Sequence, residues 1–506
     1  MNVKKGVKNI VYALIAQAVT LILGIIIPRL VIVSYGSEIN GLLSSVKQVI
    51  GYLALLEAGV GAAALQALYR PISENDKESA NSIIAATHHY YRRTGAVYLF
   101  LMVGLSFVYP LIISSGLNYW LMVGITFITG LPNVITYFFL GKLNIFLNAV
   151  GDNYITSNLS LITSTLASGA KILLLLAGAN IIFVQTIYCV VSLIQLAFVF
   201  VYVKIKYPWV NVRSKPDIKA LAQKNSTLIH QICGLVTHST DTLVLSIFCS
   251  LEVASIYAVY LTVFNIIINV ANSINGGVQF IFGQSFCRGR EYYKRVIDTY
   301  ETYYLAICSA LLSVTYIMVL PFMSLYTAGA DIDYIDRWLP LLFVGVQLFM
   351  AMRNSSANTI SVAGHFKQTR NYAIIESAIN LVVSLVLVNI IGIYGVLLGT
   401  IVAFVYRNIV SIHYSNKHIL ERSSAHSVKI IITNLLLMAC FGAFAHLVTL
   451  PIDSYLSWVL FAIPVTAVAF IVFIAFNSIV SPGSFTYVKG YLIRKLRARK
   501  NRGVAE

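Results

Sequence analysis

Ten charged side chains lie inside long apolar stretches of this chain of 506 residues. Seven are basic (Arg29, Lys47, Arg92, Arg93, Lys142, Lys171 and Arg353) and three acidic (Glu57, Asp241 and Glu376). A charge at the centre of a bilayer costs about 2.5–3.5 kcal/mol on insertion scales, so such groups normally face a bundle interior or a water-filled cavity. Arg92 and Arg93 sit some ten residues into their stretch, where a long side chain can snorkel. The others have no such outlet. Asp241 falls in the same half of its stretch as Arg29 and Lys47 do of theirs, and Glu376 and Arg353 share the other half. With those pairs made, cations are still left over. In a low dielectric an excess of cations attracts an anion, and lysine and arginine suit phosphate. The substrate-contacting candidates are therefore Arg29, Lys47, Lys142, Lys171 and Arg353. Glu57, Asp241 and Glu376 are candidates for coupling to an ion or proton, with a salt-bridge role equally open.

Polar residues also recur at helical spacing. Thr227, Gln231, Gly234, His238 and Asp241 follow at intervals of three and four; so do Asn265, Asn269, Asn272, Gly276 and Gln279. Glu376, Asn380 and Ser384 repeat at four, and Gln17, Thr20, Gly24 and Pro28 share a face. A polar group in hydrocarbon needs a partner or water. One stripe alone reads as a seam of hydrogen bonds between helices. Four stripes with ten charges favour the walls of a hydrated cavity, and Asn265, Asn269 and Asn272 join the substrate-contacting candidates.

Covalent chemistry has no motif here: neither GxxxxGK[ST] nor HExxH nor GxSxG occurs. His88 and His89 are adjacent, and adjacent helical residues point apart, so a shared metal is not expected. Asp331, Asp333 and Asp336 are expected to be a solvated loop. The six cysteines show no CxxC pair and read as small core residues. No cofactor and no metal is expected.

The elements that must position these residues follow from composition. The chain is 58% hydrophobic and 11% charged, with a mean hydropathy of +0.80. Soluble chains carry about 25% charged residues. A cytosolic enzyme, a secreted domain and a disordered chain are excluded. An all-α polytopic membrane protein remains. A spanning helix needs ~20 mostly apolar residues. Fourteen stretches qualify: 9–34, 38–68, 82–114, 118–148, 153–177, 180–204, 219–250, 253–286, 296–326, 337–362, 368–391, 393–414, 428–450 and 455–480. The first, after a basic start, reads as a permanent span rather than a cleaved signal. With the N-terminus inside, cytoplasmic segments hold 28 Lys and Arg and outer loops hold one, Arg337. Both termini are then cytoplasmic. The net charge of +17 belongs to this pattern and not to nucleic acid. The tail from Lys489 to Arg502 reads as a helix on the anionic inner leaflet or a topology anchor. Ser37-Glu38-Ile39-Asn40 and Leu251-Glu252-Val253-Ala254 lie six spans apart, each a short turn with Glu opening the next helix. They suggest an internal duplication: lobes at 1–206 and 207–418, then a helix pair and basic tail at 419–506.

One stretch carries a family signal. A basic start and Asn9-Ile10 lead to Pro28-Arg29 at the end of span one, then Tyr35-Gly36-Ser37-Glu38-Ile39-Asn40-Gly41-Leu42 and Gly51-Tyr52-Leu53-Ala54-Leu55-Leu56-Glu57-Ala58-Gly59-Val60-Gly61. This resembles the bacterial polysaccharide (O-antigen-type) flippases of the MOP transporter superfamily. The resemblance implies two six-helix bundles in a MATE-like V arrangement plus a C-terminal pair. It implies a flippase of the inner (cytoplasmic) membrane that moves undecaprenyl-diphosphate-linked oligosaccharide by alternating access through a cationic cavity, with no covalent step. Its partners would be that lipid-linked oligosaccharide, membrane lipids and a glycan polymerase of the same pathway. Arg29, Lys47 and Glu57 match best by motif. The alternatives are a cation-coupled multidrug exporter of the same superfamily and, from another class, a membrane glycan polymerase or glycosyltransferase.

Overall fold

The computed structural model describes residues 23–57, 60–212, 214–217, 233–234, 240–447, 451–490 and 493. The first half of the first expected span lies outside these residues, as do Gln17, Thr20, Thr227, Gln231, His238 and the tail beyond 493. Every described regular element is helical. In chain order these are α1 (Leu23–Tyr35), α2 (Ser37–Leu53), α3 (Val60–Ser73), α4 (Lys77–Ile112), α5 (Tyr119–Ile135), α6 (Gly141–Ala149), α7 (Asn153–Leu176) and α8 (Ile181–Lys206). Helical residues 240–248 (α9) follow, then α10 (Leu251–Cys287), α11 (Arg290–Tyr326), α12 (Leu339–Val362), α13 (Phe366–Ile391), α14 (Ile393–Tyr414), α15 (Ala425–Leu447) and α16 (Tyr455–Val480). Among the described residues ten helices are long and apolar enough to cross a membrane. The protein is a multi-pass membrane protein built from helices.

Polar side chains cap several of the helix starts. Asp76 accepts from the Ser79 amide, Asn118 from Trp120 and Leu121, and Asn180 from Ile182, each satisfying first-turn donors that have no partner within the helix. Two expected spans are interrupted. The stretch 38–68 breaks at a 3₁₀ turn, Ala54–Glu57, between α2 and α3. The stretch 118–148 breaks at a π turn, Thr136–Leu140, between α5 and α6. Pro132 lies just before that π turn and cannot donate to the Ile128 carbonyl; the Cys189 thiol from α8 does so instead, at 3.5 Å.

The chain divides into two compact units, Met1–Val259 with Gly329–Ile332, and Tyr260–Ala328 with Asp333–Glu506. The first unit buries aromatic layers: Tyr91, Tyr98 and Phe146 are each at most 1% exposed. In it the two turns that hinted at duplication meet. Asn40 donates to Ser255 at 2.7 Å, and a Cβ on Gly41 would overlap the Leu251 carbonyl, so α2 and the start of α10 touch through backbone. In the second unit α13 and α14 form a hairpin that turns at Gly392, whose φ is +57°. Gly395 and Gly399 lie against Leu387 and Ser384, leaving no room for a Cβ; the GxxxG here is a packing device. α15 and α16 share a cluster with α11 through Ala306, Ala310, Ala469 and Phe473, and are pinned together by paired Asn434 and Asn477 amides.

Candidate functional site

Lys171 and Lys142, two of the candidate cations of the first unit, have neutral hydrogen-bond neighbours. Lys171, on α7, is 5% exposed. Its ammonium donates to the Gln185 side chain at 2.8 Å and lies 4.0 Å from the centre of the Tyr188 ring. Gln185 and Tyr188 are three residues apart on α8 and so share a face. Lys47, exposed on α2, is within electrostatic reach of Lys171. Lys142, half-buried on α6, meets His88 Nδ1 at 2.9 Å. Among the described residues no carboxylate lies within ion-pair distance of Lys47, Lys142 or Lys171. A desolvated charge normally requires a counter-charge. The buried Lys171 and half-buried Lys142, with the exposed Lys47 nearby, leave positive charge in this unit that an anion would neutralise. Arg29 is half-buried on α1, and Arg92 and Arg93 are exposed on α4.

Glu57 ends the 3₁₀ turn, which sequence periodicity did not signal. The buried Tyr91 hydroxyl donates to its carboxylate. Tyr91 packs on Tyr137 of the π turn, and Tyr137 on Tyr98, whose hydroxyl receives Asn133 at 3.2 Å. Among the described residues Glu57 forms no ion pair. It is a carboxyl group held by a phenol at the end of a tyrosine ladder. Asp241 is 5% exposed and accepts from Tyr257 at 2.8 Å.

In the second unit the intramembrane carboxylate Glu376 is paired. Glu376 receives Arg353 at 2.7 Å and has Arg407 at 3.6 Å on its other oxygen. Arg407 gave no signal in sequence because it lies near the C-terminal end of the stretch 393–414 and counts with the cytoplasmic cations that follow it. The stripe of Glu376, Asn380 and Ser384 is a seam and not a cavity wall: Asn380 donates to Thr400 at 2.8 Å and Ser384 to the Val396 carbonyl at 3.3 Å. Asn265, Asn269 and Asn272 behave oppositely. They are exposed on one face of α10, and among the described residues their side-chain amides find no partner. Asn275, one turn on, is the residue that joins the core, accepting from Tyr300 and Asn358 at 2.7 Å each.

The aspartates of the loop 327–336 do structural work. Asp331 accepts from the Ser37 amide at the start of α2, Asp333 from Ile335, and Asp336 from Trp338 and Leu339 at the start of α12. Although burial acts to raise Asp331, its hydrogen bonds from Ser37 hold it below the ordinary aspartate value. α11 also carries two carboxylates inside the stretch 296–326, Asp298 and Glu301, which stand with His426 within 4.8 Å of one another. The Arg422 guanidinium pairs with both carboxylates, so a side chain already supplies the positive charge that a metal would bring.

No family model matches the sequence, and no curated protein sequence matches it. Solved structures do. An inward-facing conformation of a multidrug resistance MATE family transporter of the MOP superfamily matches with a TM-score of 0.63 at 16% identity, over 82% of this chain and 96% of that one. The lipid II flippase MurJ, in an inward closed conformation, matches with a TM-score of 0.63 at 14% identity, over 92% of this chain and 98% of that one. This chain has their fold. The identity is too low to bring any residue's role across, so the charges above are read on their own chemistry.

Proposed function

We propose that this protein is a transporter, a flippase that moves undecaprenyl-diphosphate-linked oligosaccharide across the bacterial cytoplasmic membrane by alternating access. The observation that carries the reading is the group of three intramembrane lysines, Lys47, Lys142 and Lys171, without a described carboxylate partner. They would screen the diphosphate while the sugars cross in water. The exposed carboxamides of Asn265, Asn269 and Asn272 support a hydrated path, because amides facing lipid would be left without hydrogen bonds. Arg29 belongs to the same positive field, and Arg353 contributes the part of its charge that Glu376 leaves. Glu57 is the favoured ion- or proton-coupling residue, since it is held by a phenol and not by a cation; Asp241 is second, and Glu376 is committed to its arginines. In this reading the lobes are 1–206 and 207–418 with an added pair at 419–506, both termini are cytoplasmic, no bond is made or broken in the substrate, and a glycan polymerase uses the product.

The fold supports the same reading at a coarser level: one matched structure is a flippase, and its likeness runs over 92% of this chain, against 82% for the multidrug transporter. A cation-coupled multidrug exporter is the second reading. It calls for acidic residues along the path, and the balance of charge runs the other way. The deciding experiment is a deletion strain assayed for surface polysaccharide and for lipid-linked oligosaccharide on each leaflet. Precursor trapped on the cytoplasmic leaflet is the expected result. Precursor that reaches the outer leaflet unpolymerised would indicate a polymerase instead, and unchanged glycan in a strain without a second flippase would point to the exporter.

A further inference from the structure

We propose that the first unit binds an anionic phospholipid of the surrounding bilayer in a slot along α8. The slot is a cavity of ≈ 580 Å³ between α8, α6 with its preceding π turn, and the segment 207–212. Its α8 wall is Leu193, Leu196, Ala197, Phe200, Val203 and Lys204, a single helix face by spacing. From Leu193 to Lys204 this wall is roughly 16 Å long. One leaflet of a hydrocarbon core is about 15 Å thick, so the slot has the length of an acyl chain. Phe139, Leu193 and Phe200 are all more than half exposed, so the rim is apolar and open to the outside of the unit.

The charges in this apolar slot are both positive. Lys204 stands in the last turn of α8, and Lys142 on the facing wall. Among the described residues neither has a carboxylate within ion-pair distance, whereas the neighbouring Lys206 is taken by Asp152 at 2.7 Å. The slot's Tyr207 hydroxyl is likewise spent on Asp152, at 2.7 Å. A free phosphate would satisfy the lysines and leave the apolar wall unfilled. A neutral lipid would fill the wall and leave the lysines without a counter-charge. A lipid with one acyl chain against α8 and a phosphate at Lys204 does both. Lys142 is also one of the lysines assigned above to the transported diphosphate, so the slot is set apart from that path by Lys204 and the apolar α8 wall.

The test uses the full-length protein, stripped of lipid in detergent and titrated with dioleoyl phosphatidylglycerol or dioleoyl phosphatidylcholine, with bound lipid counted by native mass spectrometry. Phosphatidylglycerol is expected to saturate one site and to bind at least roughly tenfold tighter than phosphatidylcholine, the gain of a charge-assisted contact. Replacing both Lys142→Gln and Lys204→Gln is expected to remove that preference. Ala197→Trp, which fills the slot but keeps both lysines, is expected to remove the binding itself. Ala197 is exposed, so the larger side chain can be accepted without repacking the core, and an unchanged melting temperature checks this. Equal binding of the two lipids, wild-type binding by Ala197→Trp, full competition by inorganic phosphate, or displacement by undecaprenyl phosphate at lower concentration would each overturn the proposal. The last would assign the slot to the transported lipid.

Discussion

At the scale of single residues, what matters is which intramembrane charges are compensated. Lys171 is the sharpest case, because its ammonium is buried against an amide and a ring. Lys171→Gln keeps much of the volume and removes the charge. Transport per inserted protein should fall roughly tenfold or more, the size of one charge-assisted contact, while expression holds; surface glycan normalised to protein is the readout. Glu376→Gln should act on stability instead. It strands Arg353 and Arg407 side by side, and breaking a buried pair costs about 3–5 kcal/mol, toward the low end here because Arg353 is partly exposed. The melting temperature in detergent should drop, and adding Arg353→Gln should recover part of the loss.

At the scale of elements, two kinds of join hold the helices in place. The first is backbone contact. A Cβ at Gly41 meets the Leu251 carbonyl, which has no flexible end to give way, so Gly41→Val should destabilise by about 1–3 kcal/mol or more and lower the yield of folded protein. The second is the polar tether at the α6–α7 turn, where Asp152 accepts from Lys206, Tyr202 and Tyr207. Burial acts to raise Asp152, and these three donors outweigh it and hold the carboxyl below its ordinary value. A carboxyl whose folded value is depressed stabilises the fold above its unfolded value, about 3.9, and that contribution is lost as pH falls through the folded value. Wild type should therefore lose melting temperature on acidification below about pH 4 more steeply than Asp152→Asn. Equal slopes would mean that the tether contributes nothing.

At the scale of the whole molecule, orientation is the open and testable property. With 28 Lys and Arg assigned to one side and one to the other, the short turn near 288–289 should be cytoplasmic and the loop 327–336 external. All six described cysteines are free of disulfides, so they can be replaced before single reporters are introduced. Thr327→Cys should react with an impermeant maleimide in intact cells, and Gly289→Cys only after the membrane is opened. The reverse pattern would invert the topology and with it the direction of proposed transport.

Helix content and helix positions were legible in the chain because hydrophobicity along 20 residues is a local, additive property. The described helices fall on the apolar stretches. The excess of intramembrane cations was legible for the same reason. Tertiary structure decided which charges are compensated. No local rule sets Arg353 and Arg407 on either side of Glu376, because the three come from α12, α14 and α13. It separated one stripe, α13's, into a seam from another, α10's, left exposed, since both have helical spacing and that spacing does not say what packs against them. It also broke two long runs at Glu57 and after Pro132. A run of apolar residues fixes that a segment is buried in lipid, while the path of its backbone there depends on the neighbours that take up its hydrogen bonds.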